Sequence, residues 1–281
     1  MATAQPGRSL DLKTLFTVFK YSIYFLILGN VYVFFSQEVV ASVHTFGHGM
    51  NLSELGQAFA ATIDTASWLV LLMLFELETA AISHEKVRGP LKWTLHGVRG
   101  VCYVGIVYSC WGYIAKVSTL SGFEPAGVLD ACSLLGSDAF LAVGLDRYVP
   151  IDASNCLTLV GSHLLQLEGH AIFAERDAVL AVLRLAWVDA INGVTWVLVS
   201  VLLEIDVWLQ LHDMMLEPIL RVSKILKAIF YAILFAAAVY WGFEGDFVDF
   251  WDAFLWLAAF VFIEMNFLEW HAEAEAETVR A

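Results

Sequence analysis

Three apolar stretches carry acids or amides at matching distances from a tryptophan. The first runs from Asp64 through Trp68 to Glu76 and Glu78. The second runs from Asn192 through Trp196 to Glu204 and Asp206, and the third from Asp252 through Trp256 to Glu264 and Asn266. In each, an acid or amide stands four residues before the tryptophan, a glutamate eight after it, and a further acid or amide ten after it. A charged side chain at mid-bilayer costs about 2.5–3.5 kcal/mol or more. Three glutamates at one offset therefore read as an internal repeat with a purpose.

At about 100° per residue, Asp64 and Glu78 fall close to one line along their helix. Asn192 with Asp206, and Asp252 with Asn266, do the same. This acid and amide line is the expected path for a cation or proton. The glutamates lie on a different face, where bases can meet them. Lys20, Arg99 and Lys227 recur in the preceding apolar stretches, each with a tyrosine four residues on: Tyr24, Tyr103 and Tyr231. The expected pairs are Lys20 with Glu76, Arg99 with Glu204, and Lys227 with Glu264, forming an inner gate. Pairing lowers the cost of holding either charge near hydrocarbon.

The elements that position these residues are apolar helices. The 281 residues are 59% hydrophobic and only 16% charged, with a mean hydropathy of +0.71. Soluble domains carry about a quarter charged residues, so the chain reads as an all-α polytopic membrane protein. A span needs about 20 apolar residues, and six segments qualify. They run from Leu15 to Ser36, Ala58 to Ile82, Gly97 to Ala115, Ala186 to Leu209, Ile225 to Phe243 and Phe250 to Trp270. Taken in pairs they form three parallel two-helix repeats, which implies a pseudo-threefold axis along the membrane normal. In that symmetry alone the chain resembles the mitochondrial carriers. Their proline, acid and base motif is absent, and no residue role follows from the likeness.

Basic residues beside the spans set the orientation. Arg8, Lys13, Lys86, Arg88, Lys92, Arg221 and Lys224 gather on one side if both termini are cytoplasmic. The expected location is thus a cell inner (plasma) membrane. Residues 1–14 read as a cytoplasmic leader that is not cleaved, and 271–281 as an acidic cytoplasmic tail. The spans then group as 15–116 and 185–270.

Residues 117–184 form the only sizeable water-exposed unit, a small mixed α/β extracytoplasmic insertion between the third and fourth spans. Ala139 to Ile151 and Cys156 to Leu167 read as strands, with Gly169 to Phe173 a third. Glu175 to Leu185 reads as a helix. Cys132 and Cys156 fall in this unit and form a disulfide if it faces an oxidising compartment. Gln37 to Gly56 reads as a wet loop; its His44 and His48 have no third ligand spaced to complete a metal site. Without a histidine well inside a span, no haem or other cofactor is expected.

The net charge of −14 argues against nucleic acid as a partner. Membrane lipids, further copies of the chain or other membrane subunits are the expected partners. Three functions compete. The first is a cation or proton channel or transporter using the acid line. The second is a non-catalytic scaffold or accessory subunit of a larger membrane complex. The third is an intramembrane enzyme with a glutamate as acid or base, although GxSxG, HExxH and phosphate-cradling glycine loops are all missing. The surplus of acids over bases within the spans favours transport.

Overall fold

The computed structural model describes residues 12–47, 49–78, 89–128, 130–212, 217–244 and 246–260. The chain is mainly helical, with one small sheet set into it. Helix α1 runs Leu12–Thr45, α2 Leu52–Ala58, α3 Ala60–Glu76, α4 Pro90–Leu120, α5 Arg176–Leu211 and α6 Glu217–Glu244. A further helix, α7, covers residues 247–260. Four of these helices (α1, α4, α5 and α6) are long and apolar enough to cross a membrane, and α2 with α3 makes a fifth if the bent pair counts as one span. The rest of the sixth expected span lies outside the described residues, as do His48, Glu264, Asn266 and the tail.

The helices are longer than the sequence pattern suggests. Gln37 and Glu38 mark a polar end to the first apolar run, yet α1 continues to Thr45. Its last turns keep Ala41 and Ser42 buried and turn Val40 and Val43 outward, a helical division that the apparent loop composition hides. Likewise the helix expected over Glu175 to Leu185 and the fourth span are one 36-residue element. At 1.5 Å per residue it is about 54 Å long, well beyond a hydrocarbon core of about 30 Å.

A bend of 78° separates α2 from α3 at Phe59. Asn51 caps α2 in a reciprocal capping box with Glu54. The start of α3 has no side-chain cap of its own. The bent pair packs tightly on α4: a Cβ added at Gly112 would lie 2.1 Å from the Gly56 carbonyl oxygen. Small residues at membrane-helix interfaces let backbones approach in this way.

The apolar core is shared by five helices. Ile23 and Ile27 of α1, Leu69 and Leu72 of α3, Trp196 and Val199 of α5, Leu234 of α6, and Leu255, Trp256 and Ala259 of α7 form one buried cluster. Outward faces stay apolar, with Phe25, Tyr32, Val104 and Phe235 all exposed. Such a surface suits lipid, because the helices satisfy their own backbone groups.

Between α4 and α5 lies a five-stranded sheet in the order β1-β4-β5-β2-β3. The strands are Phe123–Pro125, Phe140–Gly144, Arg147–Pro150, Leu164–Leu167 and Ile172–Glu175. All neighbours are antiparallel except β2 and β5. The stretch Ala139 to Ile151, expected as one strand, is a hairpin turning at Leu145 and Asp146. Asp146 adopts a positive φ of 58°, a conformation that Asp tolerates better than most residues. Cys132 and Cys156 are disulfide-bonded and sit beside Ala131, Ile151, Leu159 and Phe173 in the core of this unit. Asp152 ties the turn before Cys156. Its carboxylate accepts from the Ser154 hydroxyl at 2.5 Å and the Ser154 amide at 2.7 Å, which holds it below the usual carboxylate range.

The sheet is docked on the bundle. Phe123 and Leu145 pack with Tyr113, Val117, Val182 and Ala186. The His44 ring packs at a tilt against Phe140 with centroids 4.2 Å apart, and the His170 ring reaches the Thr45 carbonyl at the end of α1 with Nε2 at 3.0 Å.

Two outcomes follow for stability. Gly112→Ala separates two backbones and lowers the melting temperature in detergent, at a cost of about 1–3 kcal/mol. Gly29→Ala, with open space around it, leaves the melt unchanged and serves as the control. Thiol alkylation under denaturing, non-reducing conditions labels two cysteines, Cys102 and Cys110, and four after reduction. Cys156→Ser removes the cross-link over a separation of 24 residues and destabilises the sheet unit by about 3 kcal/mol.

Candidate functional site

A cavity of about 260 Å³ lies where the sheet meets the bundle. Seven carboxylates line it: Glu38, Asp64, Asp146, Asp189, Asp246, Asp249 and Asp252. Lys116 and Arg147 are the bases on its wall. Exposed Gln37, Arg147 and Phe247 stand at the rim. Each wall has a different structural reason for being there.

Glu38 is 3% exposed and closes the bend between α2 and α3. Its Oε1 accepts from the Ala61 amide at 2.8 Å. Its Oε2 accepts from the Thr62 amide at 3.1 Å and the Thr62 hydroxyl at 2.5 Å. These amides are among the first-turn donors that every helix leaves unsatisfied, and a carboxylate also complements the positive end of the helix dipole. Thus α1 supplies the cap that α3 lacks.

Lys116, 7% exposed, bonds Asp146 at 2.7 Å. This ion pair ties the turn of the β2–β3 hairpin to α4 and makes the sheet unit part of the cavity wall. Burial, reinforced by the charge of Asp146, pushes the Tyr148 phenol well above its ordinary pKa, so it stays neutral beside the pair. Asp189 accepts from the Trp241 indole at 3.2 Å.

Asp64, Asn192 and Asp252 form the floor, and each is followed one turn deeper by its own tryptophan. All three pairs, Asp64 with Trp68, Asn192 with Trp196 and Asp252 with Trp256, line a small chamber of about 30 Å³. Ser109 donates to Asp64 at 3.2 Å, and Asn30 donates to Asp252 at 2.8 Å. The rings are in contact, with Trp68 and Trp196 centroids 6.0 Å apart and Trp196 stacked on Phe260 at 4.7 Å. The chamber is walled by aromatic rings and shares Asp64, Asn192 and Asp252 with the acidic cavity.

The acids eight and ten residues past Trp68 and Trp196 lie about 12 Å and 15 Å farther along the chain. They take a different part. Lys20 bonds Glu76 at 2.5 Å, joined by the Tyr21 hydroxyl at 3.0 Å; the Tyr24 hydroxyl makes no hydrogen bond. Arg99 bonds Glu78 at 2.8 Å in place of the expected Glu204, which instead accepts from the Tyr103 hydroxyl at 3.0 Å. Lys227 bonds Asp206 at 2.5 Å, and Ser223 donates to the same oxygen at 2.5 Å.

The rule behind these partners is angular. Two residues turn a helix by about 200°, so paired acids at that spacing face opposite neighbours. Glu76 turns back to α1 and Glu78 forward to α4; Glu204 turns back to α4 and Asp206 forward to α6. The acid line therefore splits. Asp64, Asn192 and Asp252 face the cavity, while Glu78 and Asp206 are held by bases.

Sequence reasoning missed Glu38, Asp146, Asp189, Asp246 and Asp249. For two of them a signal existed. Asp189 and Asp249 each stand seven residues before a repeat tryptophan, one turn above Asn192 and Asp252. In the first copy that position is Ala61, whose amide Glu38 occupies. No trio of His, Cys, Asp or Glu among the described residues comes close enough to hold a metal ion.

Glu38→Ala leaves the first-turn amides of α3 bare in a buried place. Its melting temperature falls, with a loss of about 1–3 kcal/mol. Glu38→Gln recovers part of the loss, because the amide oxygen still accepts but carries no charge.

No protein-family model matches the chain, and neither a curated protein nor a solved structure matches it.

Proposed function

We propose that the protein passes a cation or proton across a membrane through the acid-lined cavity and the aromatic chamber below it. The observation that carries this reading is the charge balance of the cavity: seven carboxylates stand against two bases around one space. Acids rarely gather within membrane helices unless they line an ion route or pair with one another or with bases. Here the acids at the far end are paired with bases and those at the sheet end mostly are not. The sheet end thus attracts a cation, the three tryptophans narrow its route, and Lys20–Glu76, Arg99–Glu78 and Lys227–Asp206 close the opposite end. Rings of carboxylates and apolar constrictions are the standard parts of cation selectivity.

In this reading the chain crosses a plasma membrane six times, with both termini cytoplasmic and the disulfide-bearing sheet outside. The common placement of Asp64, Asn192 and Asp252 with their tryptophans supports three parallel hairpin repeats, the sheet being an insertion in the second. The same ion pairs support a scaffold reading, since they fasten α3 to α1 and α4, and α5 to α6. Under that alternative the protein joins other membrane subunits and carries no current.

Purified protein in liposomes, assayed for proton, sodium and potassium flux at several pH values, separates the two. Transport predicts flux that falls by about tenfold or more, equal to 1.4 kcal/mol at the barrier, in Asp64→Asn and in Asp252→Asn. Both variants keep the side-chain shape and the melting temperature. Absence of flux in every form overturns the reading and leaves the scaffold; flux that neither variant alters overturns the route through Asp64 and Asp252.

A further inference from the structure

A second cavity, of about 550 Å³, lies on the flank of the bundle between α4 and α5. Its walls are apolar, formed by Ile106, Val107, Val197 and Val201. Val107 and Val201 are exposed, so the groove faces the surroundings of the bundle, which in a membrane is lipid. Its two ends carry chemistry that plain lipid contact does not require.

One end holds Glu204, an exposed carboxylate whose hydrogen bond comes from the neutral Tyr103 hydroxyl. Neighbouring bases are engaged elsewhere, Arg99 with Glu78 and Lys227 with Asp206. Among the described residues no lysine or arginine forms an ion pair with Glu204. A carboxylate on a hydrocarbon-facing surface with no cation beside it is costly, and an occupant bringing positive charge removes that cost. The other end is closed by Trp68. The same indole lines the chamber of Asp64, Asn192 and Asp252, so a single side chain stands between the groove and the acidic route. The indole lies beside the Asp64 carboxylate in that chamber, and an indole face is the best side-chain surface for a cation.

We propose that the groove between α4 and α5 takes up an apolar organic cation from the bilayer, drawn by Glu204, with Trp68 the partition between it and the acid-lined chamber. This rests on the transport reading and adds amphipathic cations, such as hydrophobic amines, quaternary ammonium or phosphonium ions, to what the protein admits. Apolar walls recognise the body of such a molecule, the carboxylate recognises its charge, and an aromatic face guides it inward. An acidic headgroup or a neutral apolar molecule gains nothing from Glu204.

The test uses full-length protein in lipid nanodiscs and equilibrium dialysis of tetraphenylphosphonium, with empty nanodiscs subtracted. Tetraphenylborate, of the same shape and opposite charge, is the control. Tetraphenylphosphonium is expected to bind about tenfold or more tightly than tetraphenylborate. Glu204→Gln, which keeps the acceptor for Tyr103, abolishes that preference. Val201→Trp fills the groove without touching a charge and reduces binding by a similar factor, with an unchanged melting temperature. Equal binding of the two ions, or wild-type binding in both variants, overturns the proposal. Inorganic cation flux measured on the same preparation separates the two readings. Flux without a phosphonium preference removes the substrate class and leaves transport standing. Phosphonium binding without phosphonium uptake into proteoliposomes overturns passage past Trp68.

Discussion

The carboxylate of Glu38 on the amides of Ala61 and Thr62 is the contact on which the rest of the arrangement depends. A chain that bends by 78° between two packed helices frees backbone groups that an apolar surrounding cannot satisfy. A side chain from α1 satisfies them, and α3 therefore begins at Ala60 with its axis redirected into the bundle. Asp64 then lies one turn inside the helix and Trp68 one turn deeper. Without the cap, neither residue would have a fixed height, and the first of the three floor positions would be lost. The close approach of Gly56 to Gly112 holds the bend from the other side.

Charge is distributed unevenly along the bundle. At the sheet end the acids share one cavity, supported by neutral donors such as Asn30, Ser109 and the Trp241 indole. At the opposite end Glu76, Glu78 and Asp206 each meet a lysine or arginine. A buried pair balances desolvation with Coulomb attraction and adds little net stability, but it fixes which helix faces which. The layer of pairs and the layer of free acids are separated by the tryptophans and by the five-helix apolar core. One end orders the helices, and the other presents charge.

The sheet unit belongs to this arrangement. Its hairpin turn places Asp146 and Arg147 on the cavity wall, and the Lys116–Asp146 pair carries a charge of α4 to meet it. A unit of this size has a marginal core alone. The disulfide, the docking of Phe123 and Leu145, and the contact of His170 with the end of α1 compensate for that.

The sequence by itself determined the apolar helices, the tryptophan-centred acids and the candidate disulfide. Hydrophobic runs and rare intramembrane charges are local signals, readable from Asp64, Asn192 and Asp252 without neighbours. Hairpin turns such as Leu145–Asp146 and the extension of α1 past Glu38 were not legible, because their composition suits several local structures equally. Only the tertiary structure decided the partners. Arg99 meets Glu78 and not Glu204, and Lys227 meets Asp206, because a 200° turn sends acids two residues apart toward different neighbouring helices. Which neighbour stands there depends on packing order, and packing order is not written in any one stretch. Glu38 shows the same limit: a polar residue at the end of an apolar run became a cap only because α3 begins beside it.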